Sequence, residues 1–137
     1  MIFVDTSFWV ALRDRREQHH AQARVLMMET IRQRMPLVAT LLIIAETHAY
    51  FSRSKPLREQ VLRDFLENPV VRIEDVTNAD RDKAVELLRK HDDKDYPLCD
   101  ATSFAVMQRL GIRRVLSFDD HFRQFGGFEV LGLLENG

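Results

Sequence analysis

Residues 2–7 read Ile2-Phe3-Val4-Asp5-Thr6-Ser7, a short apolar run that stops at an acid and two hydroxyl side chains. Such a run is typical of a buried strand that leads into a turn. Ligands of open parallel sheets collect beyond the carboxyl ends of the strands, so the acid after this strand stands where chemistry is expected. The stretch therefore predicts both a first strand and a candidate site residue, Asp5.

Similar apolar runs recur along the chain and alternate with helical patterns. Further strands are predicted at residues 37–39, 70–73 and 115–117, with a possible fifth at 128–130. Capping residues and apolar spacings of three and four predict helices over residues 19–35, 41–51, 54–66, 77–90 and 97–110. This alternation predicts an α/β chain with three-layer α/β/α architecture and a central, mostly parallel sheet of four to five strands.

The helical pattern of residues 19–35 depends on one apolar stripe. Its members recur at spacings of three and four, which is typical of an amphipathic helix, and they are Ala21, Val25, Met28, Ile31 and Met35. A stripe of this kind usually faces the core of the protein.

Length and composition exclude several classes of protein. A chain of 137 residues is expected to form a single domain, residues 1–137. With 45% hydrophobic and 30% charged residues, neither disorder nor a membrane protein is indicated. Cys99, the single cysteine, cannot form an internal disulfide. The formal net charge of -1 argues against a nucleic-acid binder that relies on bulk charge, but it leaves a locally charged site open.

The sequence also predicts a location. Met1 leads directly into the first strand, without the basic segment or cleavage site of an export signal. The longest apolar stretch, residues 37–45, is far shorter than the ~20 residues that a membrane span needs. We therefore expect a cytoplasmic protein with no membrane partner.

Two more acids occupy positions that call for an explanation. Asp119 follows the strand at residues 115–117, and Asp100 lies in the first turn of the helix that Pro97 opens. Asp is also favoured at helix N-caps, in turns and in first helical turns, so a purely structural role is the alternative for these residues and for Asp5. However, Asp100 stands beside apolar neighbours, which indicates a buried helix start where an acid needs a partner.

Glu46 is the fourth acid of interest. Its helical neighbours three and four positions away are Leu42, Ile43, Ala49 and Tyr50, all apolar or aromatic. We therefore expect its carboxylate to be buried or half-buried, where an unpaired charge is costly. A rim position or a structural ion pair with an arginine is the alternative.

Taken together, the four acids predict a metal site. Converging carboxylates repel each other unless a cation lies between them. A hard divalent ion with oxygen ligands, Mg²⁺ or Mn²⁺, removes this repulsion, and such ions support phosphodiester hydrolysis. The chain contains no Walker motif, GxGxxG or HExxH that would favour a different chemistry.

The four acids and the residues around them, taken in the order in which they occur along the chain, resemble the motifs of the PIN-domain family of metal-dependent ribonucleases, particularly its small VapC-type toxins. The family's apolar strand ending in Asp-Thr/Ser is matched at residues 2–7, and its Glu in an apolar helix by Ile44-Ala45-Glu46-Thr47. Its Asp opening a small-residue helix is matched at residues 98–105, and its Thr/Ser-x-Asp-x-x-Phe turn at residues 117–122. The resemblance extends from Asp5 to Phe128.

The resemblance implies roles for these acids. Asp5, Asp100 and Asp119 would bind Mg²⁺ or Mn²⁺, and Glu46 would complete the catalytic site as a ligand or by positioning the attacking water. Asp120 adjoins Asp119 and is the alternative fourth acid, although the register with Phe122 favours Asp119.

The resemblance also implies a function. The chain would be an endoribonuclease acting on RNA, the toxin of a toxin–antitoxin pair, with a small DNA-binding antitoxin as partner and a homodimeric state. The alternatives are a PIN nuclease of RNA processing or turnover without an antitoxin, and a PIN-like module that binds RNA or protein without cleaving.

Arginine and histidine provide two weaker signals. Of the 20 basic residues 16 are arginine, which suits phosphate recognition, and Arg13-Asp14-Arg15-Arg16 is the candidate phosphate-contacting patch. A solvated helix face is the alternative for this patch. His19 and His20 are adjacent, so on a helix they point about 100° apart and are interpreted as surface residues rather than metal ligands.

Overall fold

A computed structural model describes residues 1–132, so residues 133–137 of the expected domain lie outside the described part. The strands are β1 (Ile2–Val4), β2 (Leu37–Thr40), β3 (Val71–Glu74), β4 (Arg114–Leu116) and β5 (Glu129–Leu131). The helices are α1 (Thr6–Arg13), α2 (His20–Arg32), α3 (Leu41–Tyr50), α4 (Lys55–Leu66), α5 (Asn78–Lys90), α6 (Leu98–Leu110) and α7 (His121–Phe125).

The five strands form one sheet in the order β3-β2-β1-β4-β5, and every pairing is parallel. The predicted α/β fold with a parallel sheet is therefore confirmed. The central strand β1 pairs with β2 on one side and β4 on the other, with Phe3 opposite both Val38 and Val115. The direction of chain winding reverses between β1 and β4, and a crevice forms at such a point.

Helices cover the sheet in two groups. Within the first group α1 packs on α2 and α3, and α3 packs on α4; in the second, α5 packs on α6 and α6 on α7. Because parallel crossovers are right-handed, the reversal of strand order after β3 puts α1–α4 on one face and α5–α7 on the other. The residues of β1 and β2 are fully buried between these layers, as expected for central parallel strands.

Side-chain caps explain where the predicted helices begin. Thr40 Oγ1 accepts a hydrogen bond from Ile43 N before α3, and Thr77 with Asp80 forms a capping box before α5. Gly111 ends α6 in the left-handed conformation, at φ 69°. The sequence patterns did not predict α1 and α7 as separate helices, because segments of 8 and 5 residues contain too few turns to show a period.

The apolar stripe that predicts α2 is on the wrong face of that helix. Val25, Met28 and Ile31 are 67%, 68% and 54% exposed, whereas the buried residues are Ala23, Met27 and Thr30. The helix carries apolar residues on two faces, and spacing alone does not distinguish the face that meets α1. No helix of residues 1–132 is long and apolar enough to cross a membrane.

Candidate active site

Asp5 lies at the junction of β1 and α1, at the crevice between β1 and β4. Its side chain is only 2% exposed. Asp5 Oδ2 accepts hydrogen bonds from Ser7 Oγ at 2.8 Å and from Ser117 Oγ at 3.0 Å. The carboxylate therefore joins the end of β1 to the residue that follows β4.

The same two serines hold the turn after β4. The backbone N–H of Phe118 donates to Ser7 Oγ at 3.0 Å, and that of Asp119 donates to Ser117 Oγ at 3.0 Å. Ser7 therefore bonds both the Asp5 carboxylate and the backbone of the turn. Sequence reasoning gave Ser117 no role, although the order Ser-x-Asp at residues 117–119 was the available signal.

Asp100, Asp119 and His121 form a second cluster beside Asp5. His121 Nδ1 lies 2.5 Å from Asp100 Oδ2 and 3.2 Å from Asp119 Oδ1, and the His121 backbone N–H donates to Asp119 Oδ1 at 3.0 Å. One ligand atom from each residue lies within 4.8 Å of the other two, a spacing that suits a shared metal ion. Sequence reasoning missed His121, whose only signal was its position two residues after Asp119.

Asp120 is separated from this cluster. Its side chain is exposed, and the residue forms the N-cap of α7. Of the two candidates for the fourth acid, Asp119 is the one whose carboxylate lies beside Asp100.

Glu46 does not have the buried environment that its neighbours predicted. The side chain is exposed, and Leu42 and Tyr50 beside it are also exposed, because this face of α3 does not pack against the sheet. The Glu46 carboxylate nevertheless reaches the site, because it lies close enough to Cys99 for its negative charge to help raise the pKa of that thiol, after burial. Since Cys99 precedes Asp100 on α6, Glu46 lies at the rim of the crevice.

The site concentrates negative charge. Burial raises the pKa of Asp5 above its usual range, despite the hydrogen bonds from Ser7 and Ser117. Burial and the charge of Asp5 raise the pKa of Asp100 to about 7. In the part of the chain that the structure describes, no lysine or arginine forms an ion pair with Asp5, Glu46, Asp100 or Asp119.

His121 is the one positive group that contacts these acids in residues 1–132. Burial of the imidazole by itself lowers its pKa, but the hydrogen bond to Asp100 and the charge of Asp119 outweigh this and raise the pKa. A single imidazolium leaves most of the negative charge uncompensated. The donor set, mainly carboxylate oxygens with one nitrogen, fits a hard divalent cation such as Mg²⁺ or Mn²⁺.

The fold and the site together define a doubly wound α/β protein with an acidic crevice at its switch point. The PIN domain model matches residues 2–127, and the chain belongs to the PIN-domain family.

Two kinds of comparison support this assignment. The chain is 38% identical over 132 residues to the 23S rRNA-specific endonuclease VapC20 of Mycobacterium tuberculosis, in strains CDC 1551 and H37Rv, covering 95% of this chain and 98% of that protein. The crystal structure of Mycobacterium tuberculosis VapC20, described as a sarcin-ricin loop cleaving toxin, superposes with a TM-score of 0.84 at 32% identity, covering 92% of this chain and 95% of that one.

A more distant structure agrees in fold. A toxin–antitoxin complex from Klebsiella pneumoniae gives a TM-score of 0.67 at 18% identity, with 96% of each chain covered. At this identity the match supports the fold alone.

Proposed function

We propose that this chain is an endoribonuclease that uses Mg²⁺ or Mn²⁺ to hydrolyse phosphodiester bonds of RNA. The observation that carries the proposal is the pair of buried acids, Asp5 and Asp100, which meet at the switch point with no lysine or arginine among residues 1–132 paired to them. Such a concentration of carboxylates is stable only when protons or an external cation offset the charge.

Each acid has a proposed role. Asp5, Asp100 and Asp119 hold the ion, and His121 positions the latter two carboxylates through its ring and backbone nitrogens. Glu46, exposed at the rim, completes the catalytic set as a ligand or by orienting the water that attacks the phosphate. When bound, the ion supplies Lewis-acid stabilisation of the charge that develops on the phosphate.

The serines around Asp5 support this arrangement. Ser7 and Ser117 fix one oxygen of Asp5 through two hydrogen bonds, which leaves the other oxygen available for a ligand. Outer hydrogen bonds of this kind orient metal-binding carboxylates. We therefore assign both serines a positioning role.

The similarity to VapC20 supports a particular substrate and a particular setting. We propose 23S rRNA as the substrate and a toxin–antitoxin module as the setting, with a small DNA-binding antitoxin as partner. A homodimeric state and a cytoplasmic location stay predictions, and size-exclusion chromatography with light scattering tests the first. A PIN nuclease of RNA turnover without an antitoxin is the alternative. An open reading frame for a small DNA-binding protein beside the gene favours the toxin.

The decisive experiment is cleavage of a 23S rRNA fragment that contains the sarcin-ricin loop. The protein is incubated with this fragment, and with an unrelated hairpin of equal length, in Mg²⁺, in Mn²⁺ or in EDTA. We expect one discrete cut in the rRNA fragment with either metal and none in EDTA, mapped by primer extension. Cleavage that EDTA leaves unchanged would overturn the metal mechanism, and equal cutting of both RNAs would overturn the substrate.

A further inference from the structure

A basic groove lies outside the acidic crevice, between the end of α1, the start of α2 and one side of α4. It encloses about 520 Å³. Its lining includes four arginines, Arg13, Arg15, Arg24 and Arg63, together with His20. We call this surface the arginine groove.

One of these arginines forms part of the scaffold. Arg13 Nε and Nη2 each donate to the Asp64 carboxylate at 2.6 Å, and Gln60 Nε2 also donates to Asp64 at 2.9 Å. This buried carboxylate ties α1 to α4, which fixes the two helices that border the groove. Arg13 therefore belongs to the base of the arginine groove rather than to its binding surface.

The other three arginines are exposed. Arg15, Arg24 and Arg63 form no ion pair or side-chain hydrogen bond with any residue from 1 to 132. They come from different elements, yet they line one cavity. Three guanidinium groups around one groove favour an extended anion, because each can bind phosphate with two parallel hydrogen bonds.

An aromatic stack joins the arginine groove to the acidic crevice. The rings of His19 and Phe118 are 4.5 Å apart and almost parallel, at 4°, and Phe118 stacks in turn on Phe8 at 5.5 Å. Phe118 precedes Asp119, and His19 precedes His20 in the groove. The crevice and the groove are therefore adjoining surfaces.

We propose that the arginine groove binds the phosphate backbone of the RNA beside the bond that is cut. This inference rests on the proposed function. An RNA that places one phosphate among the acids must place its neighbours on the adjoining surface, and carboxylates repel them while Arg15, Arg24 and Arg63 attract them. The groove therefore contributes affinity and orientation, and the acids contribute the chemistry.

The test compares two triple variants that lose the same charge. One is Arg15→Ala, Arg24→Ala and Arg63→Ala in the groove, and the control removes Arg81, Arg89 and Lys90, exposed residues of α5 on the opposite layer. Binding of the sarcin-ricin fragment is measured by fluorescence anisotropy in EDTA, as a function of KCl concentration. Thermal melts verify that both variants fold.

We expect the groove variant to bind RNA roughly tenfold more weakly or worse, with a salt slope smaller by about 2 to 3, because each phosphate contact contributes about 0.7 to 0.9 to that slope. The α5 control keeps the wild-type slope. In Mg²⁺ the groove variant raises KM and keeps kcat at saturating RNA.

Several outcomes separate this inference from the proposed function. If the wild type cleaves RNA but the groove variant binds it with unchanged affinity and salt slope, the proposed role of the groove is wrong and the proposed nuclease activity stands. If the wild type never cleaves RNA but binds it more tightly than the groove variant does, the proposed role of the groove is supported and the proposed nuclease activity is wrong. Polyglutamate serves as a model of an acidic protein segment. If it binds the wild type but not the groove variant, while both bind RNA equally well, the groove is a protein-docking site and the inference is wrong.

Discussion

Asp5 and Asp80 are equally buried, each 2% exposed, but the protein surrounds them in opposite ways. Asp80 accepts hydrogen bonds from Arg109 Nε at 2.9 and 3.1 Å and from the Thr77 backbone N–H at 2.9 Å. Asp5 accepts hydrogen bonds from two serine hydroxyls and has no cationic partner among residues 1–132.

The pKa values of Asp80 and Asp5 shift in opposite directions because of this difference. Burial by itself raises the pKa of Asp80, but the bond from Arg109 and the capping bonds from Thr77 outweigh it, so the pKa lies below its usual value. At Asp5 burial dominates and the pKa is raised. A buried acid that the fold compensates is structural, whereas a buried acid left uncompensated is suited to an external cation.

The largest expected effect is on catalysis at Asp5. We expect Asp5→Asn to reduce RNA cleavage by about a thousandfold or more, because it removes a charged metal ligand. In EDTA the variant should melt a few degrees higher than wild type, because a buried charge and its repulsion with Asp119 are lost. Cleavage assays and thermal melts measure both quantities.

The matched control is Asp120→Asn, which changes an exposed neighbour of the site. We expect it to leave both cleavage and melting temperature close to wild type. If Asp5→Asn cleaves at the wild-type rate, or if Asp120→Asn is the more damaging change, the assignment of the acids is wrong.

Substitution of Glu46 should reduce activity and leave stability unchanged. Its carboxylate is exposed, so Glu46→Gln relieves no burial of charge. We expect cleavage to fall by roughly 100-fold or more, while the melting temperature in EDTA changes by less than about 2 °C. A rise in melting temperature equal to that of Asp5→Asn would contradict the placement of Glu46 at the rim.

Arg109→Met should make Asp80 resemble Asp5. The substitution leaves a buried carboxylate without its ion pair, and we expect the free energy of unfolding to fall by about 1–3 kcal/mol, less than for a fully buried pair because Arg109 is partly exposed. Cleavage per folded molecule should stay unchanged, since α5 and the end of α6 lie away from the crevice. Urea unfolding measures the change, and adding Asp80→Asn to this variant should recover part of the loss.

Asp100 in the crevice and Asp80 outside it should make the stability of the protein depend on pH in opposite directions. The pKa of Asp100 is raised to about 7 in the folded protein, so its stabilising contribution is complete below about pH 4 and disappears as the pH rises towards 7. The pKa of His121 is also raised in the folded protein, so its stabilising contribution is likewise lost as the pH rises. The lowered pKa of Asp80 gives a contribution that is present above about pH 4 and disappears as the pH falls further.

We therefore expect the metal-free protein to be most stable in mildly acidic solution and to lose stability towards pH 8. Saturating Mg²⁺ should reduce the loss on the alkaline side, because the ion binds the folded state with its carboxylates ionised. Melting temperatures from pH 3 to 8, with EDTA or Mg²⁺, measure this. A stability that rises steadily to pH 8 in EDTA would contradict the account of Asp100.

Much of the site was predictable from local signals. Asp5 and Asp119 each follow a buried strand, and parallel strands bring their carboxyl ends to one edge, so their proximity follows from the fold class. Asp100 was identified by its apolar helix start. The buried environment expected for Glu46 was wrong, because helical spacing does not reveal whether a face meets the sheet or solvent.

The five strands, the five longer helices, the capped helix starts and the acids at one edge of the sheet could all be predicted from the sequence. These follow from hydrophobic period and hydrogen bonding between residues close in sequence. Three features became known only from the packing of residues 1–132: which apolar face of α2 is buried, the contact of His121 with Asp100 and Asp119, and the arginine that compensates Asp80 but not Asp5. Burial and compensation depend on side chains that are distant in sequence, and no local pattern records them.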